Sequence, residues 1–212
     1  MLSYPPFLPS SPEQLGWIEV IAGCMFSGKT SELIRRVRRA QYARLPVVVF
    51  KPELDQRYSA DSVDSHSGMH IPSFRVTESA QILELAGDAR VIGIDEGQFF
   101  DDGLIQVCED LADAGKRVIV AGLDLDYMGQ PFGPMPILLC KAEYIQKMLA
   151  ICVLCGAPAD RSQRTVPRGS QVLVGETDAY EARCRNHWDP DSLEASQEQL
   201  PFGPNLAEAP RA

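Results

Sequence analysis

The sequence predicts an α/β protein, a mainly parallel sheet with flanking helices followed by a small unit of different character. Three observations lead there. From residue 17 to about 121, short apolar runs alternate with helical patterns, which implies parallel strands joined by crossover helices that cover both sheet faces. A glycine-bounded loop separates the first strand from the first helix. Past about residue 142 the segments shorten and cysteines appear in spaced pairs.

The elements follow in order. Residues 17–22 (WIEVIA) are apolar enough for a buried strand, and a helix is expected over 29–42. On that helix Arg35, Arg36, Arg38 and Arg39 form a basic face, read as solvated or as a subunit contact rather than a nucleic-acid patch. A second strand is expected at 47–50, a long polar loop at 52–68, and a helix at 77–86 with Thr77 as its cap. A third strand covers 90–95, a helix 103–114 and a fourth strand 117–121. The main domain is therefore 16–141 and the small one 142–188. Residues 1–15, rich in Pro and Ser, and the acidic, proline-bearing tail 189–212 are expected to be disordered.

Composition bounds the function. With 212 residues, 45% hydrophobic, 23% charged and a mean hydropathy of −0.12, the chain suits a soluble globular protein. No apolar run approaches the roughly 20 residues that span a bilayer, and the N-terminus lacks the pattern of a secretory signal. A cytoplasmic protein with no membrane partner is the expectation. The net charge of −9 argues against non-specific nucleic-acid binding, which draws its affinity from phosphate neutralisation. It leaves a nucleotide substrate open, because a loop and one cation hold a triphosphate locally.

Gly23, Cys24, Met25, Phe26, Ser27, Gly28, Lys29 and Thr30 fit G-x-x-x-x-G-K-[ST], after a strand and at the opening of a helix, where the mechanism needs it. The glycines let backbone N–H groups turn inward around phosphates. Lys29 then reaches the β- and γ-phosphates of ATP, and Thr30 offers its hydroxyl to magnesium. The helix N-terminus adds a favourable field for the anion. A chance Gly-Lys turn is the weaker reading. The strand at 90–95 ends in Asp95 and Glu96. Asp95 fits a holder of the magnesium shell. Glu96 fits a general base acting on a hydroxyl or water, a role worth about 10²–10⁴-fold. Two acids that merely cap the next turn are the structural alternative, and the pattern alone does not separate a kinase from an ATPase.

Cys152-x-x-Cys155 and Cys184-x-x-His187, separated by residues 156–183, suit a tetrahedral Cys3His zinc centre. With no coordination position open, such a site is structural. Cys108 and Cys140 lie in apolar surroundings and are read as small core residues, so a reducing compartment fits better than three disulfides. His66 and His70 lack ligand spacing and are read as loop residues.

Together these motifs resemble the zinc-containing (type II) thymidine kinases over about residues 17–188. The family's G-P-M-F-S-G-K-[ST] loop reads GCMFSGKT here, and its I-D-E-x-Q-F-F is matched by residues 94–100 (IDEGQFF). A further family pattern is matched at 121–133 (AGLDLDYMGQPFG). Residues 55–58 (DQRY), 65–68 (SHSG), 142–147 (AEYIQK), 159–164 (ADRSQR) and 174–180 (VGETDAY) are similar as well.

The resemblance implies a P-loop NTPase-type sheet plus a small zinc-binding domain whose loop covers the substrate. It implies transfer of the γ-phosphate of ATP to the 5′-hydroxyl of thymidine, with Glu96 as base. Deoxyuridine should be accepted less well, since a lone methyl group discriminates by only about 1–3 kcal/mol. ATP would lie against 23–30 with Asp95, Glu96, Gly97 and Gln98, and magnesium against Thr30 and Asp95. The thymine pocket would use Met25, Phe99, Leu123, Tyr127, Phe132 and Tyr180. Backbone groups of the loop with Ser162, Val172, Val174, Gly175 and Glu176 would hold the base edge. Asp55 and Arg57 match positions near the sugar, and Arg164 is a weaker candidate for a phosphate-side contact. A homotetramer and feedback inhibition by thymidine triphosphate are also implied.

Four positions depart from the family pattern: Cys24 for the usual loop proline, Glu176 where glycine is common, Tyr127 for a frequent phenylalanine, and His187 for the cysteine of some members. Two rival readings remain: a P-loop zinc ATPase acting on nucleic acid, and a catalytically idle nucleotide-binding regulator. Net acidity opposes the first, and intact Lys29, Thr30, Asp95 and Glu96 oppose the second.

Overall fold

The computed structural model describes residues 15–53, 62–64, 70–166 and 179–192. Strand β1 (Trp17–Gly23) leads into helix α1 (Lys29–Tyr42) and strand β2 (Val47–Pro52). Two short strands, β3 (Ser62–Asp64) and β4 (His70–Pro72), pair antiparallel. Strand β3 falls inside the stretch expected to be loop. Then come β5 (Phe74–Val76), α2 (Gln81–Ala86), β6 (Val91–Ile94), a 3-10 turn (Gly97–Phe99), α3 (Gly103–Asp113) and β7 (Arg117–Gly122). Helix α4 (Met135–Lys141) and strand β8 (Tyr144–Met148) follow. The chain then makes β9 (Ala150–Ile151), β10 (Pro158–Ala159), β11 (Arg161–Arg164) and β12 (Tyr180–Arg183).

Six strands form one sheet in the order β5-β2-β6-β7-β1-β8, and every pairing in it is parallel. Its core has two halves. Ile21, Val49, Val91 and Ile119 face Leu33, Ile34 and Val37 of α1. Val20, Phe50, Ile92, Ile94, Val118 and Val120 face Ile82, Leu104, Val107, Cys108, Met135 and Leu138 of α2, α3 and α4. Each such side chain, fully buried, contributes about 1.5–3 kcal/mol. The apolar runs are continuous because central parallel strands are covered on both sides. Strand β8 is different: it is an edge strand with Ile145 exposed, so it lacks the continuous run that marks the others.

Three expectations need correction. Arg36 is not solvated but buried, with Nη1 2.6 Å from Glu19 Oε2 and Nε 2.8 Å from Glu32 Oε1. A glutamate inside an apolar strand was the sign that a cation must come to meet it. Thr77 caps no helix: α2 begins at Gln81, whose side-chain oxygen instead accepts from the Thr77 N–H at 2.8 Å and the Glu78 N–H at 3.2 Å. Ser79 is meanwhile held by Asp101, at 2.6 Å from its hydroxyl. Cys140 is exposed on α4, although Cys108 is buried as expected. No helix among the described residues is long and apolar enough to cross a membrane.

Candidate active site

Parallel strands deliver their C-terminal ends to one edge of the sheet, and loops after β1, β6 and β7 meet there. Ligands of open α/β sheets bind at such an edge. The loop after β1 closes on Gly28, which caps α1 in left-handed backbone at φ 85°, and Phe26 is also left-handed at φ 63°. Within the loop, Ser27 Oγ and Lys29 Nζ each donate to the Cys24 carbonyl at 2.8 Å. Thr30 Oγ1 lies 3.2 and 3.3 Å from the two Asp95 carboxylate oxygens. A hydroxyl and a carboxylate set face to face are hard oxygen donors of the kind magnesium takes.

Asp95 follows β6 and Glu96 follows Asp95. Glu96 is held in left-handed backbone at φ 52°, ψ 43°. For a residue with a side chain that costs about 1–3 kcal/mol, and it persists only where the surroundings over-determine it. Gln98 supplies part of that constraint. Its Nε2 donates to Glu96 Oε2 at 2.5 Å, and its Oε1 accepts from the Leu123 N–H at 2.9 Å. Buried Gln98 thus links the carboxylate to the loop after β7.

That loop is built by two aspartates. Asp126 accepts from the N–H groups of Met128 and Gln130 at 2.9 and 2.8 Å, which turns the chain. The Asp124 carbonyl accepts from the Phe132 N–H at 3.2 Å, while its carboxylate pairs with Lys147 of β8. Phe132 meets Phe99 edge-on, their centroids 5.6 Å apart. The Arg164 guanidinium, on buried β11, lies 5.2 Å over the Tyr127 ring. Strand β11 also reaches the phosphate loop, for Ser162 Oγ accepts from the Met25 N–H at 3.1 Å. Cys24, in place of proline, donates its thiol to the Ala159 carbonyl at 3.3 Å. Tyr180 pairs opposite Arg164 in the β11–β12 ladder.

Met25, Phe99, Leu123, Tyr127, Phe132, Ser162 and Tyr180 therefore lie on segments stitched around one sheet edge with Lys29, Thr30, Asp95, Glu96, Gly97 and Gln98. Asp55, Arg57, Val172, Val174, Gly175 and Glu176 lie outside the described residues. The Lys147–Asp124 pair and the bridging role of Gln98 were not foreseen from sequence. Lys147 had a signal only as the end of the AEYIQK stretch.

The second cluster is Cys152, Cys155, Cys184 and His187, whose ligand atoms all lie within 4.8 Å of one another. Cys155 Sγ and Cys184 Sγ are 3.8 Å apart, and His187 Nδ1 is 3.7 Å from Cys152 Sγ and 3.4 Å from Cys184 Sγ. Tetrahedral zinc, with Zn–S of about 2.3 Å and Zn–N of about 2.0–2.1 Å, separates its ligands by about 3.5–3.8 Å. The donor set and its spacing fit zinc. Burial pushes the Cys152 thiol up, but N–H groups of Cys184 and Leu154 and the His187 ring outweigh it and bring it down to about 6. The thiolate, the form that binds metal, is thus at hand near neutral pH.

A phosphate loop opening a helix, an oxygen-donor pair beside it and a parallel sheet beneath define a P-loop nucleotide-binding protein. The thymidine kinase family model matches residues 16–188. A thymidine kinase of Bdellovibrio bacteriovorus is 55% identical over 177 residues, 83% of this chain and 87% of that one. Those of Rhodothermus sp. and Bacteroides thetaiotaomicron are each 56% identical, over 176 and 170 residues. The alignments cover 83% and 80% of this chain, and 83% and 85% of the respective relatives. Among solved structures, the flagellar accessory protein FlaH from Methanocaldococcus jannaschii aligns at a TM-score of 0.46 and 12% identity, over 80% of this chain and 88% of that one. That likeness is too distant to bear on function. The chain belongs to the thymidine kinase family.

Proposed function

We propose that the protein transfers the γ-phosphate of ATP to the 5′-hydroxyl of thymidine, giving thymidine monophosphate and ADP. The observation that carries this reading is the position of Glu96. It stands one residue past Asp95 in constrained backbone, and Gln98 ties it to the loop bearing Leu123, Tyr127 and Phe132. A carboxylate so placed lies between the phosphate end and the aromatic end of one site. The 5′-oxygen attacks the γ-phosphorus, its proton passes to the Glu96 carboxylate, and the bond from the γ-phosphorus to the β–γ bridging oxygen breaks. Lys29 exchanges the Cys24 carbonyl for phosphate oxygens. Thr30 and Asp95 would hold magnesium, which would supply positive charge to offset that developing on the phosphates. Phe99, Phe132, Tyr127 and Leu123 enclose the base and keep water from the γ-phosphate.

The names of the relatives favour this reading over a nucleic-acid-stimulated ATPase. The proposal extends, on family resemblance, to a cytoplasmic homotetramer inhibited by thymidine triphosphate. Its test is ATP consumption with magnesium and each nucleoside in turn, for wild type and Glu96→Gln. Thymidine-dependent turnover, slower turnover with deoxyuridine, and a fall of about 10²-fold or more in the variant are expected. Turnover indifferent to every nucleoside, or an unimpaired variant, refutes the reading.

A further inference from the structure

The residue after the last cysteine-cluster ligand, Trp188, reaches across to the substrate loop. Its indole N–H donates to the Tyr127 carbonyl at 3.3 Å. Its ring lies flush on Gly129: a Cβ built there would meet the Trp188 ring at 2.7 Å, and Gly129 sits at φ +72°. The loop after β7 thus comes close enough to touch the indole only because residue 129 has no side chain.

One strand covers both the Trp188 ring and the ring of Tyr127. In β11, Arg161 places its guanidinium 5.6 Å over the Trp188 ring, and Arg164 places its own 5.2 Å over the Tyr127 ring. Between them, Gln163 grips the backbone around Trp188. Its Oε1 accepts from the Asp189 N–H at 2.9 Å, and its Nε2 donates to the Asp189 and Ser192 carbonyls at 2.8 Å. The Arg183 guanidinium donates to the His187 carbonyl at 3.3 Å. Trp188 is therefore fastened at its backbone to the cysteine cluster and at its ring to the turn that carries Tyr127.

We infer that Trp188 is a positioning residue for nucleoside binding: it transmits the placement of the Cys184–His187 knuckle to Tyr127, and so sets the pose of the ring offered to the base. This rests on the thymidine kinase reading above. The phosphate end is built on other elements, with Lys29 and Thr30 at the start of α1 and Asp95 directly after β6. Loss of the Trp188 contact should therefore act on thymidine affinity and spare ATP. A base stacks on an aromatic ring, and mispositioning the ring forfeits part of that stacking.

The test compares wild type with Trp188→Ala, Trp188→Phe and Gly129→Ala, each checked for zinc content. Trp188→Ala and Gly129→Ala should raise KM for thymidine about tenfold while kcat and KM for ATP stay within about twofold. Trp188→Phe, which keeps a ring but loses the N–H, should fall between them and wild type. A second readout needs no turnover. The chain has two tryptophans, so in a Trp17→Phe background Trp188 reports alone. Its emission should shift on adding thymidine without ATP, and shift to the red on chelation of the metal. Unchanged thymidine KM in Trp188→Phe and Gly129→Ala, a parallel change in KM for ATP, or emission indifferent to both treatments overturns the inference. A wild type inert toward thymidine overturns the kinase reading with it, whereas active wild type with indifferent variants overturns this inference alone.

Discussion

Glu19 offers the most direct test of how the phosphate loop is held in place. It is fully buried on β1, between β7 and β8, and takes four donated bonds. These come from Arg36 Nη1 at 2.6 Å, Arg117 Nε at 2.5 Å, Arg117 Nη2 at 3.1 Å and the Trp17 indole at 2.7 Å. Arg36 belongs to α1, the helix that opens at the phosphate loop, and it also donates to Gln146 of β8. One carboxylate therefore anchors α1, β1, β7 and β8 to each other. Glu19→Ala removes the shared acceptor and leaves two arginines whose side chains are only 6% and 12% exposed.

Breaking a buried pair in this way costs about 3–5 kcal/mol, because the surviving charge is left without compensation. Glu32 still pairs with Arg36 at 2.8 Å, so the lower part of that range is expected. For a domain of this size each kcal/mol moves Tm by about 2–4 °C, so about 3–4 kcal/mol gives a fall of about 6–16 °C. Thermal unfolding followed by circular dichroism measures the shift, and urea unfolding the free energy. The pH dependence supplies a second check. Burial pushes the Glu19 carboxyl up, but the bonds and charges of Arg117, the Trp17 N–H and Arg36 outweigh it and hold it below 4.5. Its contribution is then fully present above pH 4.5 and is lost as pH falls through the lower folded value. Glu32 is likewise lowered, its burial outweighed by Arg35 and Arg36. Glu19→Gln should therefore reduce the acid slope of stability without abolishing it. A Glu19→Ala variant within about 1 kcal/mol of wild type, or an unchanged acid slope in Glu19→Gln, refutes the reasoning.

Two further predictions follow from the same structure. The small apolar cluster around the metal site consists of Cys24, Ala150, Cys152, Ala159, Ala182 and Cys184, too little apolar surface to order that unit alone. Removing zinc, a loss on the order of 10 kcal/mol to such a unit, should unfold β9–β12 while the two halves of the sheet core stay protected; hydrogen exchange read by mass spectrometry checks it, and unchanged protection of β11 after verified metal loss contradicts it. Native mass spectrometry should find a tetramer that binds thymidine triphosphate and is inhibited by it, and a monomer blind to the triphosphate sinks both proposals.

Much of the candidate site was legible because its chemistry lies in short local spacings. The loop 23–30, the Asp95–Glu96 pair and the Cys152/Cys155/Cys184/His187 set each announce their donors within a few residues. The sheet was legible too, since strands covered on both faces must be apolar throughout, as 17–22, 47–50 and 117–121 are. Strand β8 escaped notice for the complementary reason: an edge strand is half wetted, and the exposed Ile145 and the Lys147–Asp124 pair interrupt its pattern.

What the sequence by itself determined is which atoms are present and which fold class they enter, because phosphate cradling, metal ligation and strand burial all depend on residue type at fixed local intervals. The tertiary structure alone decided how those atoms are held. Arg36 turned out to be an internal counter-ion for a glutamate 17 residues away, Gln98 a link from Glu96 to Leu123, and Trp188 a fastening on Gly129. Each of these joins segments distant along the chain, and no local spacing records the folding that brings them within 3 Å or so of one another.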